Sequence, residues 1–519
     1  MLKFDVVSVT ARTVALEVDN EECFYSPNRL NVYVNDEKVD EVNTNVFIIR
    51  NLMPNREYSV WLEDAVTGEK SERKVIRTKD ETAVVNVKDF GAKGDGVSND
   101  TSFIQAAIYA CPPGGRVVFP QGIYLTAPVF LKSDITLELQ RDAIIRGVKE
   151  RELYPILPGA LKSEDGEKDF YLASWEGNSA ECFASLITGI NVENVVITGE
   201  GTIDGNASFD TWWHEPKVKR IAWRPRTIFL SNCKNVLVEG ITVKNSPSWT
   251  IHPLRCKNMK FIGLNIENPK DSPNTDGLNP ESCDNVLILG VRFSVGDDCV
   301  AIKAGKRTAD SSCSFEPSKN ISVRNCLMEY GHGGVVIGSE MSGGVADVHV
   351  EKCIFNYTDR GIRIKTRRGR GGYIDGIYAT KIKMNGVGTP FTINSYYFCD
   401  PDGKTEYVWS KEKLPVDERT PHIGGIHLNN ITCINTQIAA AFIYGLPEAK
   451  IDNVVLKDIY VHFDVNAQPG YAEMLSFIEP MCRNGFYINN VKRLEIKNVK
   501  VENQLTDALI KLNIDEEHM

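Results

Sequence analysis

The 519-residue chain lacks several features that would assign it to common classes of protein. It has no run of about 18 apolar residues, which argues against a transmembrane helix. Basic residues are in deficit, with 59 Lys and Arg against 69 Asp and Glu, and the net charge of −10 argues against a general nucleic-acid binder. Any anionic ligand must therefore be held by a local basic cluster.

The amino terminus lacks the basic start, apolar stretch and small-residue cleavage site of a secretory leader. We therefore expect a cytoplasmic protein, or a secreted one if a leader precedes this sequence. The thirteen cysteines are an odd number without metal-ligand spacing. This usage favours reduced, buried thiols over a disulfide framework.

Residues 1–80 contain short alternating strands separated by turn signals, which predict a small β-sandwich. The strands are expected at 13–18, 29–34, 46–49, 58–62 and 74–78. Within this segment, Asn51-Leu-Met-Pro-Asn-Arg-Glu-Tyr resembles the Leu-x-Pro…Tyr turn of fibronectin type III domains. We favour a spacer or docking role without chemistry for this domain.

A glycine-rich turn around Asp95 opens the second region, and no Gly-Lys-Ser/Thr follows it, which argues against a phosphate-binding loop. A helix is predicted next, over 101–109, with Asp100 as its N-cap. The segment Gly114-Gly-Arg-Val-Val-Phe-Pro-Gln-Gly-Ile-Tyr then resembles the opening coil of pectin-degrading β-helix proteins.

From about residue 190 a unit recurs that begins with Asn and an apolar residue and continues as an alternating strand. Clear copies begin at Asn194, Asn235, Asn258, Asn285, Asn320 and Asn453. Several spacings of 23 to 28 residues, with strands rather than helices in each unit, predict a β-solenoid. The Leu-x-x-Leu-x-Leu frame of leucine-rich repeats is absent. Together with the resemblance of the opening coil to pectin-degrading β-helix proteins, the repeat implies an all-β chain, with a right-handed parallel β-helix of the pectin lyase-like type over 83–519 after the β-sandwich.

Unusual polar residues recur once per coil in the middle of this repeat. They are Asp276 in Asn-Thr-Asp-Gly, Asp297 and Asp298 in Gly-Asp-Asp, His332 in Gly-His-Gly, and Arg363 and Lys365 in Arg-Ile-Lys. The intervals are 21 residues from Asp276 to Asp297, 34 from Asp298 to His332 and 31 from His332 to Arg363. Since coils are spaced by roughly 4.8 Å, we expect one groove about 15 Å long.

Three adjacent aspartates can supply the protonated carboxyl and the ionised carboxylate that glycoside hydrolysis requires, because their mutual repulsion raises at least one pKa. Gly296 is expected to permit the bend that brings Asp297 and Asp298 to one groove. A guanidinium beside an ammonium suits a uronate carboxylate. Each motif alone is typical of an exposed turn or a solvated face, and only their order and spacing indicate a site.

The four motifs in this order resemble glycoside hydrolase family 28, the polygalacturonases and rhamnogalacturonases, over roughly residues 85–515. The resemblance implies inverting hydrolysis of α-1,4-galacturonosyl bonds in polygalacturonate or oligogalacturonates, without a metal or other cofactor. It makes Asp297 the general acid, while Asp276 and Asp298 position and activate water and His332 sustains the protonation of the acid. Arg363 and Lys365 would clasp the substrate carboxylate. No nucleic-acid or membrane partner is implied.

Four further residues are weaker candidates for substrate binding: Lys303, Asn274, His252 and Tyr396, or its neighbour Tyr397. A tyrosine in the core or at a rim is the competing interpretation. Long insertions at 204–226 and 394–419 could close one end of the groove, as in exo-acting members of the family, which the region Gly338-Ser-Glu-Met-Ser-Gly-Gly also resembles. We therefore expect cleavage from a chain end.

The alternatives use the same fold. An endo-polygalacturonase or a rhamnogalacturonase would differ in the openness or specificity of the groove. A calcium-dependent pectate lyase would use Asp276, Asp297 and Asp298 as metal ligands. A carbohydrate-binding solenoid without catalysis would have no need of all three acids.

Overall fold

The computed structural model of the chain describes residues 2–165, 169–308 and 315–518. No helix among these residues is long and apolar enough to cross a membrane. The helices are few and short. The α-helices are Thr101–Ala110 and Glu406–Trp409, and the 3-10 helices are Val87–Phe90, Arg151–Leu153 and Pro401–Lys404.

Two small antiparallel sheets form the amino-terminal part. One contains Lys3–Val9, Val14–Asp19 and Val46–Ile49, and the other contains Tyr25–Val34, Glu37–Thr44, Glu57–Asp64 and Lys74–Arg77. Alternating apolar residues such as Leu16, Val32 and Leu62 are buried in one cluster. All five predicted strands are present. Lys3–Val9 and Glu37–Thr44 were not predicted. The side chains of Glu37–Thr44 are mostly exposed and polar, which leaves no apolar alternation to detect.

The rest of the chain is a parallel β-helix, which confirms the predicted fold. Its strands form three stacks, in which they pair in parallel with strands of the neighbouring coils, and the coil of residues 257–281 joins the third stack only through isolated bridges of Leu278 and Glu281. The first stack contains Val84–Asn86, Gly115–Phe119, Ile135–Leu139, Glu193–Gly199, Lys234–Glu239, Lys257–Ile262, Asp284–Leu289, Ser318–Arg324 and Val345–Glu351. The second contains Asp95–Asn99, Gly122–Thr126, Ala143–Gly147, Thr202–Asp204, Thr242–Lys244, Asn265–Glu267, Arg292–Val295, Leu327–Tyr330 and Ile354–Asn356.

The third stack carries the polar motifs. It contains Val129–Phe130, Ile187–Ile190, Ile228–Ser231, Ile251–Leu254, Val300–Ile302, Val335–Ile337, Arg360–Lys365, Thr389–Asn394 and Ala439–Tyr444. Towards the carboxyl end, long strands run through more than one stack: Tyr373–Asn385, Gly425–Thr436, Ile451–Phe463, Asn484–Glu502 and Leu509–His518. The short strands of the inserted loops are Ile156–Leu157, Ala160–Lys162, Asp169–Tyr171, Ser174–Trp175, Asn178–Ser179, Cys182–Phe183 and His422–Ile423.

Columns of apolar side chains fill the interior. Met259, Val286, Ile321 and Val348 occupy equivalent positions of four successive coils, and all are buried. The repeated asparagines form a side-chain stack near the start of the strands of the first stack: the amide of Asn285 donates to Asn258 at 2.9 Å, and that of Asn258 donates to Asn235 at 3.0 Å. Each adopts a left-handed backbone conformation, which asparagine tolerates better than most residues.

The helix Thr101–Ala110 buries Ile104 and Ile108 against the first coils. Asp100 precedes it as predicted, but its carboxylate does not cap the helix. It accepts instead from the backbone N–H groups of Lys93 and Gly94, at 2.8 and 2.9 Å. Asp100 therefore holds the glycine-rich turn rather than the helix end.

Candidate active site

The turns that lead into the third stack bring the three aspartates together. Asp276 lies just before residues 278–281 and Asp298 just before Val300–Ile302, and these two segments pair in parallel. The N–H of Gly277 donates to the carbonyl of Asp298 at 2.9 Å. As a result, one carboxylate oxygen from each of Asp276, Asp297 and Asp298 lies within 4.8 Å of the others.

Gly296 is required here for space. A Cβ at this position would collide with the carbonyl oxygens of Ser272 and Pro269. Its φ is not in the left-handed region, so close approach of the backbone, rather than an unusual dihedral angle, accounts for the glycine. After it, the N–H of Asp298 donates to Oδ1 of Asp297 at 2.9 Å.

Asp298 is the ionised member of the group. Burial alone would raise its pKa, but Lys365 and Arg363 outweigh burial and lower the pKa of Asp298 to about 2. The ammonium of Lys365 donates to Oδ2 at 2.7 Å, and Nη1 of Arg363 lies 3.5 Å from Oδ1. A carboxylate held by two cations stays charged over the whole physiological range.

Asp276 and Asp297 are shifted in the opposite direction. Burial, followed by the charge of Asp298, raises the pKa of the half-buried Asp297. Burial and then the charge of Asp297 raise the pKa of Asp276 well above its ordinary range. The amide of Asn279 donates to Oδ2 of Asp276 at 2.7 Å. The site thus combines one firmly ionised carboxylate with two carboxyls that retain protons to higher pH.

Glu473 orients Arg363, and nothing in the sequence pattern indicated it. Nε of Arg363 donates to Oε2 of Glu473 at 2.8 Å and Nη2 donates to Oε1 at 2.5 Å. Both side chains are buried. The sequence separation of 110 residues and the position of Glu473 in a loop outside the repeat hid this pair. Because Nε and Nη2 of Arg363 are hydrogen-bonded to Glu473, Nη1 is the nitrogen that faces Asp298.

Asp359 was missed in the same way. Its carboxylate lies 2.7 Å from Nδ1 of the exposed His332. The hydrogen bond with Asp359, opposed by burial and aided by the charge of Asp297, raises the pKa of His332. The spacing of the coils could have pointed to Asp359, since it lies 27 residues beyond His332, which is the length of one coil.

Lys303 and Asn274 lie beside the aspartates. The ammonium of Lys303 donates to Oε2 of Glu340 at 2.7 Å and sits 4.5 Å above the ring of Trp249. Oδ1 of Asn274 accepts from Nη2 of Arg224 at 2.6 Å. Glu340 belongs to the Gly-Ser-Glu-Met-Ser-Gly-Gly region, so this motif supplies a counter-charge next to the site.

His252 and Tyr396 do not fit the predicted role of direct substrate contacts. His252 is fully buried, and its Nε2 lies 2.8 Å from Oε2 of Glu281. Burial lowers the pKa of His252 to about 4, so its imidazole is neutral. Tyr396 is buried in a separate apolar cluster with Ala439 and Phe442, beneath the ammonium of Lys411. Neighbouring Tyr397 is the tyrosine at the site, with its ring 5.4 Å from Nζ of Lys365.

The two predicted insertions both reach the site. Arg224, at the end of the first, donates to Asn274. In the second, Asp400 binds the ammonium of Lys306 at 2.7 Å and the guanidinium of Arg370 at 2.9 Å. The loop between Ala143–Gly147 and Ile187–Ile190 is a third insertion. It contacts the same region, since the N–H of Lys306 donates to the carbonyl of Gly177 at 3.1 Å.

The aspartate cluster also has the composition of a cation site. Four of its oxygens already accept hydrogen bonds, from the ammonium of Lys365, Nη1 of Arg363, the amide of Asn279 and the N–H of Asp298. A divalent ion would have to compete with a resident cation for Asp298. The arrangement therefore suits proton transfer better than metal binding.

A parallel β-helix that holds carboxyls of opposed protonation in one groove has the groups that a glycoside hydrolase requires. The family model "Glycosyl hydrolases family 28" matches residues 161–462, and a second model, "Rhamnogalacturonase A/epimerase, pectate lyase-like", matches residues 84–138. The chain belongs to glycosyl hydrolase family 28.

Relatives and solved structures agree with this assignment. A probable polygalacturonase of Vitis vinifera is 32% identical, over 73% of this chain and 74% of the relative. An exo-poly-alpha-D-galacturonosidase of Dickeya chrysanthemi is 26% identical, over 67% and 63%. The Yersinia enterocolitica family 28 exopolygalacturonase covers 99% of this chain and 98% of its own, with a TM-score of 0.72 at 20% identity, and so shows the shared fold. The exopolygalacturonase of Thermotoga maritima gives a TM-score of 0.65 at 28% identity, over 80% and 91%.

Proposed function

We propose that this enzyme hydrolyses α-1,4-galacturonosyl bonds in polygalacturonate or its oligomers. The observation that carries the proposal is the pairing of ionised Asp298 with Lys365, beside two aspartates of raised pKa. The similar proteins named as polygalacturonases support the choice of substrate.

Asp297 is the proposed general acid. Its raised pKa keeps it protonated, so it can transfer a proton to the glycosidic oxygen as the bond to the sugar breaks. Water attacks the anomeric carbon from the opposite face and gives its proton to a neighbouring carboxylate. Asp298, which stays ionised, accepts this proton, and Asp276, whose pKa is raised well above its ordinary range, helps to position the water.

His332 and the cations complete the proposed mechanism. The imidazolium of His332, sustained by Asp359, stabilises the charge left on Asp297 after proton transfer. Lys365 and Nη1 of Arg363 are the donors available to a substrate carboxylate, since the other two donor atoms of that guanidinium bind Glu473.

Inversion at the anomeric carbon is proposed from membership of the family. The aspartates lie within 4.8 Å of one another, which is shorter than the separation of about 6.5–9.5 Å usual for inverting enzymes. Proton NMR of the first-formed product distinguishes the two stereochemical outcomes. An initial product with the anomeric configuration of the substrate would overturn the proposal.

Cleavage from a chain end is proposed from the inserted segments that line the groove around Tyr397, Asp400 and Gly177. An internal segment of polymer would collide with such a wall and leave its polar groups unpaired, a penalty of about 1–3 kcal/mol per group. Reducing ends and viscosity should be followed together on polygalacturonate. We expect reducing sugar to accumulate while viscosity stays high. An early fall in viscosity with a ladder of mid-sized oligomers would show an endo-acting enzyme.

We propose that the amino-terminal sheets form a fibronectin type III-like docking module. Three and four antiparallel strands enclosing one core support this. Ala15, Val46 and Ile48 pack against Ile262 and Leu289 of the β-helix. Ile48→Asp is expected to lower the unfolding temperature without changing KM for oligogalacturonate. A raised KM in a folded variant would give the module a role in substrate binding.

A further inference from the structure

Within the part of the chain that the structure describes, two buried arginines beside the site have no carboxylate at ion-pair distance. Seven arginine side chains are buried among the residues that the structure describes. Five form ion pairs: Arg116 with Glu81, Arg363 with Glu473, Arg367 with Asp402, Arg368 with Glu448 and Arg370 with Asp400. The remaining two, Arg224 and Arg226, have no carboxylate within ion-pair distance in the described part of the chain. This fold otherwise neutralises each buried guanidinium.

The contacts of these two arginines hold them in place without cancelling their charge. Nη1 of Arg224 donates to the carbonyl of Pro247 at 2.7 Å, and Nη2 donates to Asn274. Arg226 donates to the carbonyls of Arg224 and Ser174, at 3.1 and 2.7 Å. All of these acceptors are neutral, and the Nε atoms of both arginines are buried without a hydrogen-bond partner among the described residues. No direct ion pair in the described part of the chain therefore cancels the positive charge of the two guanidinium groups, on which the carboxyl of Glu176 acts only through longer-range attraction.

Tryptophans surround the pair. The guanidinium of Arg226 lies 5.1 Å from the ring of Trp175 and 4.9 Å from that of Trp249, and Arg224 lies 5.4 Å from Trp175. The ring of Trp223 stacks on Trp175 with centroids 4.7 Å apart. Apolar walls exclude water, which strengthens the attraction of these cations for an anion. Burial lowers the pKa of Arg224 to about 9, and a nearby anion would favour its charged form.

The register of the third stack puts this pair in line with the aspartates. The N–H of Ile228 donates to Thr250, and the N–H of Thr250 donates to Asp276. Arg226, just before Ile228, therefore lies two coils before the coil of Asp276, roughly 10 Å at the spacing of parallel strands. Arg363 pairs with Val336, which pairs with Ala301, two coils beyond Asp298. Cationic groups thus flank the aspartates on both sides.

We propose that Arg224 and Arg226 bind the carboxylate of a second galacturonate unit, on the side of the aspartates opposite to Lys365. The inference rests on the proposed function and deepens it. Recognition of an acidic sugar on both sides of the scissile bond makes the enzyme specific for consecutive unesterified galacturonates. A neutral or esterified unit at the Arg226 side leaves the two cations without a counter-ion.

The test uses three oligogalacturonates of one length: one fully acidic, and two carrying a single methyl ester on one or the other side of the scissile bond. With the unaltered enzyme we expect the ester on the Arg226 side to lower kcat/KM about 10- to 100-fold, because a charge-assisted hydrogen bond is lost. Arg226→Gln should cleave that ester and the acid about equally, and should still discriminate against the ester on the Lys365 side. Arg226→Lys should restore part of the discrimination.

Arg116→Gln is the matched control, since it removes a buried arginine that is paired with Glu81 and distant from the groove. It should lower stability and keep the unaltered enzyme's discrimination between the substrates. Equal loss of activity of Arg226→Gln on all three substrates would overturn the subsite. The subsite would also be overturned if the unaltered enzyme had the same kcat/KM on the fully acidic oligomer and on the one esterified on the Arg226 side. That measurement does not depend on the folding of a variant. Failure to cleave even the fully acidic oligomer would instead overturn the proposed function.

Discussion

Replacing Glu473 with Gln tests whether a residue outside the repeat sets the geometry of Arg363. The side chains of Glu473 and Arg363 are about 0% and 2% exposed and are joined by two hydrogen bonds. Removing one partner of a buried ion pair costs about 3–5 kcal/mol, and we expect the lower end because the amide keeps one acceptor. Misplacement of Nη1 relative to Asp298 should also lower kcat/KM, by about 10- to 100-fold.

Glu448→Gln provides the control, because Glu448 binds Arg368 with the same bidentate geometry and comparable burial. Both variants should lose similar stability in denaturant unfolding, whereas only Glu473→Gln should lose turnover. Kinetics must be measured where both variants are folded. Equal kcat/KM values for the two variants would refute a positioning role for Glu473.

The pH dependence of stability gives a second check on this pair. Burial would raise the pKa of Glu473, but Arg363 outweighs burial and lowers it to about 2. A carboxylate whose folded pKa is depressed contributes stability above its unfolded pKa and loses it as the pH falls. The stability difference between the unaltered enzyme and Glu473→Gln should therefore shrink as the pH falls below about 4.5, towards 2. A difference that stays constant over this range would contradict the ion pair.

Three further predictions concern the chemistry. Asp297→Asn should lower turnover by about 10²- to 10⁴-fold while oligogalacturonate binding is largely kept, because the amide cannot donate the proton; near-normal turnover would disprove the acid assignment. Products should be saturated with a new reducing end, and a chelator should not inhibit; ultraviolet absorbance from an unsaturated product, or calcium rescue, would indicate a lyase. Asp359→Asn should move the alkaline limb of the kcat/KM profile to lower pH, since Asp359 raises the pKa of His332 and the imidazolium is lost as pH rises through that pKa; an unmoved limb would exclude His332 as its origin.

The sequence determined the fold and the identity of the polar motifs. Asparagine that recurs before alternating apolar residues predicts a coil of a β-helix, because only every second side chain of a strand points into the interior of the helix. Glycine, aspartate, histidine and arginine falling once per coil then predict one groove. Local pattern and coil spacing suffice for this, and Asp276, Asp297 and Asp298 do come together.

The tertiary structure decided which of these residues face one another and in what state of charge. Glu473 lies in a loop outside the repeat, 110 residues from Arg363, so no local pattern could join the two. The pKa of Asp298 falls only because Lys365, from a strand two coils further along, meets its carboxylate where water is excluded. Packing likewise distinguishes two neighbouring tyrosines. Tyr397 lies beside Lys365, whereas Tyr396 is buried in an apolar cluster. Desolvation and long-range ion pairing depend on how distant segments pack, which the order of residues along the chain does not reveal.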